Sequence, residues 1–192
     1  MMGGVGSRRG APWITGIAAL AVGSCSSAPA GSDAAEELAE RQLDAVIAVS
    51  SPAFGEGEPI PVEFSCDGEE VSPPLSWDGV PSAAVELVLV VDDPDAPGGT
   101  YVHWVLFGLD PSLTELDAGV VPANGRQAKN SAGDAAYKGP CPPGGHLHHY
   151  RFSVYALGEE AAADDAAPGG EVLGLVSEAA IAKGTLTGTF ER

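Results

Sequence analysis

A chain of 192 residues with 27 acidic against nine basic side chains has a formal net charge of −18. That balance disfavours nucleic acid and anionic membrane surfaces as partners, because both would be repelled. The length suits one domain with a real core.

The first residues read as a targeting segment. Arg8 and Arg9 form a positive start, residues 13–22 are apolar without charge, and Val22-Gly-Ser-Cys25 places small residues before a cysteine. The run is too short to span a bilayer and reads as a secretory signal over residues 1–24. Its end has the pattern of a bacterial lipobox, in which Cys25 is lipidated and becomes the new N-terminus. An ordinary signal cut after Ala28 or Ala30 is the alternative. Residues 25–44 then read as a linker, rich in Ser, Ala, Gly and Pro up to Asp33. Residues 34–45 suit either a short helix, with Asp33 as N-cap and Glu36-Glu37 in its first turn, or a solvated tether. The folded domain is expected over residues 45–192.

That domain reads as mostly β. Turn signals recur at Ser51-Pro52, Glu58-Pro59, Cys66-Asp-Gly68, Ser72-Pro-Pro74, Asp78-Gly79, residues 93–99, Asp110-Pro111 and residues 139–145. Between them, residues 47–49 and 60–64 alternate weakly, while residues 85–91, 101–109 and 150–157 are nearly continuous apolar runs. Continuous runs bounded by turns suit strands buried on both faces. Residues 159–170 predict an exposed loop or weak helix, residues 171–182 a helix, and residues 184–190 a last strand. The expectation is an antiparallel β domain with a few short helices.

All four histidines fall in two windows, His103 in one and His146, His148 and His149 in the other, beside Asp93, Asp95 and Tyr150. Side chains alternate faces along a strand. Leu87, Leu89, Val91 and Asp93 therefore share one face, Tyr101, His103, Val105 and Phe107 a second, and His148, Tyr150, Phe152 and Val154 a third. His149 and Arg151 take the opposite phase. Apolar rows with polar ends describe the lining of a pocket at a sheet rim, against the alternative of histidines satisfied inside a core. The Gly139-Pro140 turn beside it could offer backbone N–H groups to an anion. With Cys25 set aside, Cys66 and Cys141 are an even pair suited to an oxidising compartment. The residues alone leave open both a bridge and two separate buried thiols.

At these positions the chain carries a resemblance. The motifs are Phe64-Ser-Cys-Asp-Gly68, Val71-Ser-Pro-Pro-Leu-Ser-Trp77, Asp92-Asp-Pro-Asp-Ala-Pro97, His103-Trp104, Gly139-Pro-Cys-Pro-Pro143 and His148-His-Tyr150 running on to Val154-Tyr-Ala-Leu157. In this order the chain resembles the phosphatidylethanolamine-binding protein family, in its bacterial Raf-kinase-inhibitor-like branch. The resemblance implies a central antiparallel sheet, a smaller second sheet, flanking helices, and a small pocket that accepts phosphate or a phospholipid headgroup. By motif, the ligand-binding residues would be Asp93, Asp95, His103, Gly139, Pro140, His148 and Tyr150. Imidazole and phenol would donate to anion oxygens, and Gly139 would let the ligand approach the backbone. The two aspartates would orient His103 or His148 and raise their pKa values. In such a fold the loops holding Cys66 and Cys141 lie on one side, so a Cys66–Cys141 disulfide is expected. Two departures stand out. Residues 130–137 replace the usual aromatic and glycines, which would loosen one wall. His146 adds a histidine on the face of His148, but without an assured third ligand no metal site is expected.

The preferred functional reading is an exported, lipid-anchored binding module for a small anion or phospholipid headgroup, with no cofactor. The alternative is a protein-interaction inhibitor of a protease or kinase, acting through the pocket loops. An enzyme is not expected. Neither Gly-x-Ser-x-Gly nor a HExxH pair is present, and no hydroxyl nucleophile neighbours the histidines in sequence.

Overall fold

The computed structural model describes residues 1–4, 31–43 and 45–192. The apolar run of the expected signal and the expected lipidation site at Cys25 lie outside the described residues. In chain order the elements are α1 (Ser32–Glu40), β1 (Ala45–Val46), β2 (Ala48–Ser50), β3 (Leu75–Asp78), β4 (Glu86–Asp93), β5 (Tyr101–Leu109), β6 (Glu115–Leu116), β7 (Arg126–Ala128), β8 (His148–Leu157), α2 (Gly169–Ala179) and β9 (Ala180–Phe190), with a 3-10 turn at Val62–Phe64. A six-stranded sheet runs β1-β9-β8-β4-β5-β7, and a three-stranded sheet runs β2-β3-β6. Among these pairings only β1 with β9 is parallel.

The continuous apolar runs have the cause the sequence suggests: β4, β5 and β8 are covered on both faces. Leu87, Leu89, Val91, Phe152 and Val154 pack against Leu75, Trp77 and Leu116 of the small sheet. Val88, Val90, Val105 and Phe107 pack on the other side against α1 and α2. The small sheet can lie close because Gly184 of β9 has no side chain; a Cβ there would run into the Ile47 carbonyl. Both edge strands are short, which limits unpaired backbone at the sheet margins.

Several expectations need correction. Residues 32–40 are not a tether: Ala35 and Leu38 of α1 are buried in the helix-side core. The helix also starts earlier than expected, with Gly31 rather than Asp33 in the N-cap position, and stops at Glu40. Residues 60–64 form no strand. Pro59 and Pro61 remove the N–H groups a ladder needs, leaving one isolated bridge from Pro59 to Thr189. The C-terminal helix ends at Ala179, and Ala180 enters β9 at once. Pairing of Ala180 and Ala182 with β8, and of Ala182 with β1, overrides the helical preference of alanine. Residues 159–168 are an anchored loop, with Ala161, Ala163 and Ala167 buried, and Gly169 already opens α2. Glu86 accepts the Ala161 N–H, and the Arg126 guanidinium donates to the Ala163 carbonyl.

Cys66 and Cys141 are joined in a disulfide, across 75 residues of chain. Beside it the Cys66 N–H donates to the Pro140 carbonyl. A loop of that length loses much of its unfolded freedom on closure, worth about 2–4 kcal/mol. Replacing both cysteines by serine should lower the urea midpoint by the equivalent amount without changing the far-ultraviolet circular dichroism. An unchanged midpoint would show that the bridge does not stabilise the fold.

Candidate functional site

Three strand ends and one loop build the site. Asp93 closes β4, Tyr101 and His103 open β5, His148 and Tyr150 open β8, and residues 138–143 pass in front. Together they line a cavity of about 320 Å³. The phase reading holds for β4 and β8, where Leu87, Leu89, Val91, Tyr150, Phe152 and Val154 all face the small sheet.

It fails on β5. Val91 pairs with Trp104 and Asp92 with Val102, so His103 is an extra residue, a bulge. Tyr101 and His103 face the cavity, but Val105 and Phe107 lie in the opposite core. The bulge lets His103 and Trp104, neighbours in sequence, both turn toward the pocket side. The Trp104 indole N–H then donates to the Gln127 side chain at 2.7 Å.

Asp93 and His148 form the buried polar pair of the site. His148 Nδ1 lies 2.7 Å from Asp93 Oδ2, with the two side chains 6% and 5% exposed. The other Asp93 oxygen accepts the Asp95 N–H at 2.8 Å. Asp95 itself is placed differently from the expectation. Its carboxylate turns outward to His149, taking both the ring Nδ1–H at 2.7 Å and the backbone N–H at 2.8 Å. It orients neither His103 nor His148, and it borders an adjoining outer cavity with His146 and Leu147. Its slight burial works the other way, but the His149 bonds hold its carboxyl below the ordinary range.

His103 is held by the Lys138 carbonyl, 2.8 Å from Nδ1, rather than by an aspartate. Burial pushes its pKa down, opposed by that bond and by Asp93. The expected rise is therefore reversed: desolvation outweighs the nearby charge. Tyr150 stands between the histidines, its ring 5.2 Å from that of His103 and 6.5 Å from that of His148. It is fully buried, and its hydroxyl has no hydrogen-bond partner among the described residues. The hydroxyl lies near the Asp93 carboxylate and the Cys141 backbone without completing a bond to either. Burial first, then Asp93, pushes its ionisation well above that of a free phenol.

The pocket loop also departs from expectation. Gly139 lines the cavity, but its missing side chain makes room for the Phe64 and Ser65 backbone, which a Cβ would crowd to 2.8–2.9 Å. Its N–H donates to Glu70 Oε1 at 3.3 Å, and Pro140 has no N–H, so this turn is no anion nest. Pro140 is buried behind the wall and does not border the cavity. Nor is the wall at residues 130–137 loosened. Asn130 Oδ1 accepts the Ala132 and Asp134 N–H groups, its amide donates to the Ala136 carbonyl, and Tyr137 reaches the Phe64 carbonyl. Among the described residues no three His, Cys, Asp or Glu side chains converge as a metal site would need.

Two features had little signal in sequence. Lys138 matters through its carbonyl, which no residue type announces. Arg192 lies against the disulfide: its guanidinium donates to Asp67 at 3.1 Å and approaches Cys141 Sγ at 3.4 Å, while its carbonyl accepts the Gly145 N–H.

An unpaired buried hydroxyl costs about 1–3 kcal/mol, so Tyr150→Phe should raise stability by about 1 kcal/mol in urea unfolding. A loss instead would mean the hydroxyl is bonded. His103 gives a pH test. Its folded pKa lies below the unfolded value of about 6.5. Above that pH neither state is protonated. As pH falls below it, the unfolded chain takes up a proton that the native ring refuses, so stability declines by up to about 1.4 kcal/mol per unit. His103→Gln should remove that part of the slope; an unaltered slope would show that His103 titrates normally.

Residues 50–191 match the phosphatidylethanolamine-binding protein family. The chain is 46% identical over 146 residues to a Mycobacterium tuberculosis protein named "Putative lipoprotein LppC", covering 76% of this chain and 72% of that one. It superposes on the phosphatidylethanolamine-binding protein homologue CT736 of Chlamydia trachomatis with a TM-score of 0.72 and 36% identity, over 78% of this chain and 99% of the other. The Escherichia coli protein YbcL, described as a member of the mammalian family, gives 0.72 at 30% identity, over 76% and 98%. With residues 50–191 matched by the family and relatives at 36% and 46% identity covering about three quarters of its length, the chain belongs to the phosphatidylethanolamine-binding protein family.

Proposed function

We propose that this chain is a binding module whose cavity takes a small phosphate-type anion, free or as a phospholipid headgroup. The observation that carries this reading is the buried Tyr150 hydroxyl, unpartnered and bordering a cavity that two histidines also line. A buried polar group without a partner is costly, and a ligand oxygen would supply the missing bond. Asp93, His103, Gly139, His148 and Tyr150 are the contact residues; Asp95 and Pro140 act behind them as supports. The groups present favour recognition over turnover, with no serine or cysteine thiol among those lining the cavity.

The same reading places the module outside the cell on a lipid at Cys25. The lipobox-like Val22-Gly-Ser-Cys25 supports this, as does the lipoprotein name of the Mycobacterium tuberculosis relative.

Calorimetric titration with inorganic phosphate tests the pocket. Binding should weaken about tenfold in Tyr150→Phe. Equal affinity in the variant would remove Tyr150 from the site. For the anchor, Cys25→Ser should move the protein from the membrane fraction to the soluble one. Retention in the membrane would exclude a lipid at that residue.

A further inference from the structure

His103 Nδ1 faces a carbonyl oxygen, which can only accept, so this nitrogen carries the proton. Burial favours the neutral ring. Its Nε2 is then a bare acceptor, without a partner among the described residues and open to the cavity. The charged and titratable groups around it are Asp93 from β4, Lys138 from the loop, His148 and Tyr150 from β8, and Tyr101 from its own strand. Burial outweighs the two influences that draw a proton toward the ring, the Lys138 carbonyl bond and Asp93.

An acceptor at this place is an unusual feature for an anion site. A phosphodiester has only acceptor oxygens, so one of its lone pairs would face that of Nε2. A phosphomonoester monoanion, or dihydrogen phosphate, carries a P–OH that donates to Nε2 while another oxygen accepts from Tyr150. We propose that His103 makes the pocket select phosphate groups that bring their own proton, phosphomonoesters and free phosphate, over phosphodiesters. The inference rests on the anion-pocket reading and narrows it. It sets the intact phospholipid headgroup, a diester, below its soluble monoester fragments.

Ethyl phosphate monoanion and dimethyl phosphate are isomers of equal charge that differ in the P–OH. Titrated calorimetrically at pH 6, ethyl phosphate should bind at least about tenfold more tightly. Its affinity should fall roughly tenfold per pH unit above about pH 7, as the monoanion disappears. The preference should shrink to within about twofold in His103→Phe, which offers no acceptor, and in His103→Gln, whose amide can turn an N–H to the ligand. Two variants guard against one failing to fold. Equal binding of both isomers by the unsubstituted protein overturns the selectivity and leaves the anion pocket standing. A preference that survives both substitutions also overturns it, because the selecting group would lie elsewhere. No binding of either isomer at millimolar concentration removes the pocket reading itself, and the selectivity with it.

Discussion

Two consecutive aspartates near the end of a central strand set the terms for the rest of this fold. Asp92 and Asp93 are both buried, and alternation sends them to opposite faces of the sheet. Each carboxyl group is held in a poor solvent and needs a partner there. Strand β8 supplies both: Arg151 meets Asp92 through two hydrogen bonds on the helix side, and His148 meets Asp93 on the small-sheet side. The spacing of three between those partners puts them on opposite faces, as required. The register of β8 against β4 is thereby held by charge as well as by apolar packing, and one wall of the cavity is fixed along with it.

The opposite wall is fixed by different means. Lys138 N–H bonds back to the His103 carbonyl, while the His103 ring reaches the Lys138 carbonyl, so strand and loop are tied twice. The disulfide, the Tyr137 hydroxyl and the Glu70 carboxylate pin the same loop to residues 64–70. A cavity held this firmly pays little ordering entropy when a ligand enters. It can also keep one buried hydroxyl unpaired, since nothing nearby is free to move onto it.

Much of this was legible in the residues. The long apolar runs gave the central strands, the turn residues gave their ends, and the ordered motifs gave the family and the disulfide. Asp93, His103, His148 and Tyr150 were placed correctly around one cavity. What escaped were details fixed by partners distant in sequence. Strict alternation cannot foresee a bulge at His103, because the extra residue is defined by the opposing strand. Asp95 looked equivalent to Asp93, yet the turn through Pro94 aims it outward, where His149 takes it. Gly139 lines the cavity as expected, but its missing side chain makes room for another stretch of chain. Ala180 looked helical until two strands bracketed the segment.

The position of α1 bears on how the module would sit on a cell. Ser32, its first residue, is buried beside Gly99, in the turn that also contributes Ala96 and Pro97 to the cavity rim. Six residues separate Cys25 from Ser32, and fully stretched they reach roughly 25 Å. A lipid at Cys25 would therefore leash the molecule by its cavity end. The pocket would hover within a few headgroup layers of the bilayer, and it would sample solutes from the thin zone next to the membrane rather than from the open compartment.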